Sequence, residues 1–310
     1  MPQIDNSYAK LNEQQKTFYN RVLLERLLPE LVFMKHGQKK PIPKNEGATV
    51  NFRRFNRLPT ATVPLVEGIT PAGKNLDISS ITAVVQGYGD WVLLSDFIDM
   101  AGIDPVATET LEVLAEQAGE TLDELVRDEV AAGTNVYRVN GRVARNLIQA
   151  GDILDGATIR RARRIMARNN VKTIGGSYIG FIHPDAAFDI TGDVNWIASS
   201  LYGKPGQLFD HELGKLYGIR FIETTKAPVW ADAGLNGLVD VYGTIVIGYG
   251  AYGVPDIAGS SKPQTIIKPL GSAGTADPMD QRSSIAWKAY MATIRLDELC
   301  ILRLESAVTV

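Results

Sequence analysis

Histidine and cysteine are almost missing from this chain: 310 residues include three His and one Cys. Structural and catalytic metal centres draw heavily on clusters of those two residue types. His36, His183 and His211 lie far apart, with no cysteine cluster to complete a ligand set, so neither a metal nor a cofactor is expected. A single Cys300 cannot close an intrachain disulfide, which suits folding in a reducing compartment; within LDELCILRLE it reads as a small apolar strand residue. No apolar run reaches the roughly 18 residues that suggest a membrane span. The opening MPQIDNSYAKLNEQQ also lacks the basic-then-apolar order of a secretory leader. Net charge is only −3, so there is no global pull toward nucleic acid or an anionic membrane, and any such contact must be local. What remains is an ordinary globular composition, 45% hydrophobic and 22% charged, in a chain long enough for two modest cores.

Four motifs suggest an enzyme, and each lacks a residue or a context that its chemistry needs. Gly68-Ile69-Thr70-Pro71-Ala72-Gly73-Lys74-Asn75 follows a phosphate-binding loop until its last position, where Asn75 replaces the hydroxyl that should reach magnesium. The continuation LDISSITAVV is strand-like, whereas the phosphate should meet a helix N-terminus. Gly248-Tyr249-Gly250-Ala251-Tyr252-Gly253 fits a dinucleotide fingerprint, but Val254-Pro255-Asp256 follows instead of a helix, which favours a loop. His211-Glu212-Leu213-Gly214-Lys215 puts lysine where a zinc-protease helix needs its second histidine. Gly175-Gly176-Ser177-Tyr178-Ile179 lacks the closing glycine of a nucleophile elbow. His183, just before Pro184, is expected to cap or pack a turn.

Apolar spacing organises the rest. Ser7 is expected to cap an amphipathic helix carrying Phe18, Val22, Leu27, Leu31 and Val32, bent or divided at Pro29 and ended by Gly37. Asp104-Pro105 supplies an N-cap and a first-turn proline for a long helix running toward Gly133. Leu111, Leu114, Ala118, Leu122 and Leu125 share one face of it, while Glu112, Glu116, Glu120, Glu124 and Asp128 keep another wet. A second helix is predicted from Asp155 to Arg168 with its own cap, and GSYIGFIHPDAAFDI reads as a buried strand entering a turn. Short strands and Gly/Pro loops from Asn140 to Asp280 suggest a compact mixed domain. SIAWKAYMATIRLDELCILRLESAV then resumes long strand alternation and is expected to return to the domain of the long helix, which makes that domain discontinuous.

Between Pro41 and Asp96 the pattern is an extended hairpin, Ala48 to Leu58 outward and Asn75 to Leu94 back, with Gly and Pro gathered in the turn Glu67–Gly73. An isolated two-stranded hairpin is marginal in water, so the leading third is expected to have no interior of its own and to lean on other copies of the chain.

The blocks GQKKPIPKNEGATVNFRRFNRLPTATVPLVEGITP and GYGDWVLLSD, followed in order by EQAGETLD (116–123), AAGTNV (131–136) and FIHPD (181–185), resemble the major capsid proteins of tailed phages, in particular the N-four-like podophage group. One departure is Gln86-Gly87-Tyr88-Gly89, where the family pattern has Gln directly before Tyr-Gly. The resemblance implies an α+β Hong Kong 97-type capsid fold: an N-terminal arm over 1–47, an E-loop hairpin over 48–95, a P-domain with a spine helix over 96–139 and 284–310, and an axial A-domain over 140–283. It implies a structural protein without catalysis that self-assembles as pentamers and hexamers of an icosahedral head shell around double-stranded DNA, formed in the host cytoplasm and retained in the virion.

Implied partners are a portal protein, a separate scaffolding protein, a decoration protein and non-specifically held DNA, with no membrane. Within that picture Lys39, Lys40, Lys44, Arg53, Arg54 and Arg57, a basic group with Glu46 as its sole acid, have two readings: they meet acidic faces of neighbouring copies, or they neutralise packaged phosphates. Glu67, Thr70 and Lys74 at the hairpin tip, and Arg160, Arg164 and Arg168 along one side of the second helix, are candidates for contacts between copies. An encapsulin-type compartment shell shares the fold and is the nearest alternative. A nucleotide- or dinucleotide-binding enzyme would require the glycine motifs to precede helices.

Overall fold

The computed structural model describes residues 31–42, 48–55, 58–101, 106–193, 196, 212–257, 262–272, 274 and 277–309. The helix expected from Ser7 therefore lies outside the described residues up to position 30, as does the Asp104-Pro105 cap. In chain order the elements are α1 (Phe33–His36), β1 (Gln38–Ile42), β2 (Thr49–Phe55), β3 (Ile78–Val84), β4 (Gln86–Ser95), α2 (Asp96–Ala101), α3 (Val106–Ala131), β5 (Val136–Arg138), α4 (Gly156–Arg168), β6 (Tyr178–Ile182), α5 (Pro184–Thr191), β7 (Glu212–Leu216), β8 (Ile219–Glu223), β9 (Val229–Trp230), β10 (Val241–Ile247), β11 (Tyr252–Ile257), β12 (Gln264–Lys268), β13 (Arg282–Met291), β14 (Ile294–Arg295) and β15 (Ile301–Ser306).

The 26-residue helix α3 organises the molecule. Its stripe of Leu111, Leu114, Ala118, Leu122, Val126 and Val130 is buried, and Glu116, Glu120 and Asp128 stay exposed on the opposite side. Leu125, expected on the stripe, is half-buried at its margin. The stripe packs on two sheets at once, sharing one core with Ile285, Trp287 and Ala289 of β13 and with Ile179, Phe181, Ile245 and Ile247 of β6 and β10. Each Leu, Val, Ile or Phe side chain among these contributes about 1.5–3 kcal/mol by leaving water. Helix α4 covers the other face of the second sheet, where Ile159, Ala162 and Met166 meet Ile182, Ile219 and Phe221. A strand covered on both sides has no wet face to alternate toward, and β6 is accordingly buried at all five positions.

The larger sheet runs β5-β15-β10-β6-β8-β7, with β9 also on β10; the other runs β1-β11-β13-β12, with β4 on β13 and β14 on β11. Strand β15 is parallel to β5 and antiparallel to β10. The last strand thus joins the sheet built from the middle of the chain, and its ladder crosses the boundary drawn at 283/284.

The hairpin differs from its sequence expectation in two ways. First, the return limb divides at Val85: Ile78–Val84 pairs with β2, from Thr49↔Val84 to Phe55↔Ile78, whereas Gln86–Ser95 pairs along the whole of β13. The seven residues of β2 satisfy only seven of the return limb, and the rest find their backbone partners on the long strand β13. The additional glycine does not shift the β4–β13 register; at Gly89 a Cβ would stand 2.5 Å from the Trp287 carbonyl oxygen, so glycine is what lets the two backbones close. Second, the leading third does have an interior within its own subunit. Phe33 and Met34 are buried in the α3 core, and Val50 and Ala83 are buried at the hairpin base.

Candidate functional site

None of the enzyme-like motifs acquires its required context. The segment Gly68–Asn75 holds a turn closed by Ile69 N–H donating to the Val66 carbonyl at 3.1 Å, and the chain continues into strand β3 rather than a helix. Gly248–Gly253 runs into strand β11, and the segment after His211 is strand β7; His211 itself lies outside the described residues. Ile174 and Ser177 exchange two backbone hydrogen bonds around Gly175-Gly176, making a tight turn instead of an elbow. His183 caps α5, its Nδ1 accepting from the Asp185 N–H at 3.3 Å while its ring packs edgewise on Tyr242. Among the described residues no group of three or more His, Cys, Asp and Glu could hold a metal, and no helix is long and apolar enough to cross a membrane. Cys300 ends a 3-10 turn just ahead of β15, half-buried, and burial pushes its thiol up to about 11.

The hairpin presents two faces because strand side chains alternate. Val50, Phe52 and Arg54 of β2 turn toward the body: Val50 is buried, Phe52 lies so close to Gly253 that a Cβ there would meet its ring at 2.8 Å, and Arg54 pairs with Asp297 at 2.7 Å. Asn51, Arg53 and Phe55 face outward and are exposed. Beyond the ladder, residues 58–77 contain neither helix nor strand. Val63, Leu65, Val66 and Ile69 are all exposed there, Val63 and Leu65 by 81% and 79%. Apolar side chains concentrated this way mark an interaction surface. Lys74 Nζ donates to the Pro59 carbonyl at 3.5 Å across the neck of this loop, and Glu67 and Thr70 are exposed near its tip.

The structure separates the expected basic group. Adjacent positions on β1 put Lys39 and Lys40 on opposite faces. Lys40 Nζ donates to the Asn51 carbonyl at 3.0 Å and sits 5.3 Å from the Phe52 ring centroid, so Lys40 and Arg54 are both engaged within their own subunit. Lys39 and Arg53 are exposed, and Lys44 and Arg57 lie outside the described residues. On α4, whose N-cap Asp155 accepts from Thr158 N–H as expected, Arg160, Arg164 and Arg168 are exposed on one side. Arg160 lies 5.8 Å from the Tyr217 ring centroid. Arg161, not singled out from sequence, donates to the Tyr137 hydroxyl at 2.6 Å.

Sequence reasoning also passed over Asp123. It stands on the buried side of α3, one turn from Gly119 and Val126, and its Oδ1 accepts from Met34 N–H at 3.0 Å. Its signal was an acid spaced with the apolar stripe rather than with the wet face. Burial pushes its carboxyl up to about 6, against the backbone N–H groups at the start of α1.

The sequence model of a family described as phage capsid protein matches residues 79–304. No curated protein matches. Among solved structures, the capsid of Ralstonia phage GP4 is similar with a TM-score of 0.68 at 13% identity, covering 88% of this chain and 87% of that one. The capsid of cyanophage Pam1 has a TM-score of 0.68 at 14% identity, covering 92% of both chains. The acid-stable capsid of Helicobacter pylori bacteriophage KHP30 has a TM-score of 0.65 at 15% identity, covering 87% of each.

Proposed function

Because the chain belongs to the phage capsid protein family and is a structural major capsid protein of a tailed phage, with a Hong Kong 97-like fold, we propose that its hairpin tip is the principal device joining one copy to the next in the icosahedral shell. The supporting observation is the contrast along the hairpin: Val50, Phe52 and Arg54 fix its base to the parent subunit, while Val63, Leu65, Val66 and Ile69 are left in water at its far end. Covering them with a neighbour recovers the burial that the isolated subunit forgoes.

In this reading residues 140–283 supply the axial portion that closes rings of five and six copies by head-to-tail contacts. Arg160, Arg164 and Arg168 meet acidic groups of the adjacent copy, and Glu67, Thr70 and Lys74 make polar contacts around the tip. Among the described residues of the basic group, Lys39 and Arg53 are the cations available to packaged DNA. A separate scaffolding protein guides assembly in the host cytoplasm, a portal protein occupies one vertex, a decoration protein binds the outer surface, and the chain itself performs no catalysis.

Negative-stain microscopy of the purified chain, with and without co-expressed scaffolding protein, tests the central reading. Leu65→Asp combined with Val66→Asp is expected to abolish shells while leaving thermal unfolding of the unassembled chain unchanged. Shells at wild-type yield from that variant would refute the role of the tip.

A further inference from the structure

Three guanidinium groups converge on one carboxylate where the C-terminal end of α3 meets β15. Glu305 is fully buried and accepts from Arg138 Nε at 2.8 Å, Arg145 Nη2 at 2.5 Å and Arg303 Nε at 3.0 Å. The Arg145 guanidinium carbon sits over the Trp230 ring, 3.7 Å from its centroid, and that of Arg303 is 5.3 Å from the same centroid. Arg145, Arg303 and Trp230, with Arg127 and Asp128 of α3, wall a cleft of about 400 Å³. Arg127 is balanced by Glu124 at 3.6 Å and Asp128 at 2.8 Å. The inner cluster is not balanced: one carboxylate faces three guanidiniums, leaving two positive charges in excess.

The end of α3 offsets part of that excess. The Ala131 carbonyl accepts from Arg303 Nη1, and a helix C-terminus carries roughly half a negative charge. The remainder is unfavourable in a partly buried place. Arg303 is accordingly held below the ordinary guanidinium range, by burial first and then by Arg145 and Arg138, against the pull of Glu305.

We propose that this cleft is a recessed oxyanion site, taking one carboxylate or phosphate-type group between Arg145, Arg303 and Arg127. Glu305 takes Arg145 Nε and Nη2 as well as Arg303 Nε, and the Ala131 carbonyl takes Arg303 Nη1, so the anion would be met by the remaining Nη1 of Arg145 and Nη2 of Arg303 as charge-assisted donors, neutralising charge that the fold leaves uncompensated. Arg303, Arg127 and Arg145 are only 11%, 19% and 27% exposed. They are set too deep for the backbone of a rigid duplex, and exposed Asp128 at the rim repels a polyanion further. A free ion, or an acidic side chain extended from a neighbouring copy, fits both constraints.

The test compares inorganic phosphate with chloride at equal ionic strength, reading the thermal unfolding midpoint of the full-length chain both unassembled and in shells. Millimolar phosphate is expected to raise the midpoint of the unassembled chain by a few degrees beyond chloride. Arg145→Met should abolish that difference. Arg127→Gln, which leaves the Glu305 cluster intact, should at least halve it. A shift in both forms identifies a free ion as the occupant; a shift confined to the unassembled chain identifies a neighbour's acidic side chain. No phosphate-specific shift in the unassembled chain, or one that both variants retain, overturns the site.

Discussion

Asp123, in the middle of α3, accepts a hydrogen bond at 3.0 Å from the backbone N–H of Met34, 89 residues earlier in the chain. That bond fastens the end of the arm to the central helix, and Phe33 and Met34 drop into the core beside it. The arm is therefore anchored at residues 33–34 before the chain enters β1 and the hairpin. Its attachment depends on a carboxyl group whose proton affinity is unusual.

Two groups at this anchor titrate in opposite senses. Asp123 is raised from 3.8 to about 6, mainly by burial, so relative to the unfolded chain its contribution is favourable below about pH 4 and is lost as pH rises through about 6, a cost of about 3 kcal/mol at neutral pH. His36 is lowered from 6.5 to about 4, by burial first and then by Arg220 and Lys35; its contribution is full above pH 6.5 and is lost as pH falls through about 4. The slopes largely cancel between pH 4 and 6. Asp123→Asn should unmask the histidine, giving a chain whose denaturant midpoint falls steadily with acidification, and His36→Asn should do the reverse. Equal slopes in wild type and both variants would contradict this assignment.

Tyr252 is fully buried and its hydroxyl donates to the Phe33 carbonyl. Tyr252→Phe leaves that carbonyl buried without its partner, which should cost about 1–3 kcal/mol. Hydrogen exchange should quicken across residues 33–36 before it quickens in α3.

Gly89→Ala places a methyl group 2.5 Å from the Trp287 carbonyl oxygen, a backbone atom that cannot swing aside. Overpacking of this kind costs about 1–3 kcal/mol, read as a lowered thermal midpoint. Gly73→Ala in the exposed loop, where a Cβ meets nothing within 4 Å, is the matched control and should stay within about 0.5 kcal/mol of wild type.

If Lys39 and Arg53 neutralise packaged phosphates, Lys39→Ala with Arg53→Ala should lower the slope of log affinity for double-stranded DNA against log salt by about 0.9 for each phosphate left without its cation. Arg54→Ala should leave the slope unchanged, because Arg54 is occupied by Asp297. An unaltered slope in the double variant would assign these cations to neighbouring subunits.

Side-chain spacing along the chain was enough for the long helix, the capped helix α4 and the strand character of the two hairpin limbs. Each of these is a local matter: helical spacing of leucines, a side chain reaching an amide three residues away, or turn residues between strand formers. Long-range packing settled that Gln86–Ser95 leaves the hairpin for β13, that β15 joins the middle segment's sheet, that Phe33, Met34, Val50 and Ala83 are buried within their own subunit, and which of two adjacent cations faces its own body. Strand partners are chosen by backbone groups that every residue carries alike, so the pattern of side chains shows that a segment is a strand without showing beside what it lies. Asp123 and Glu305 were hidden for the same reason: their partners are distant in sequence, and only folding brings an acid to the amide or the guanidiniums that make its burial tolerable.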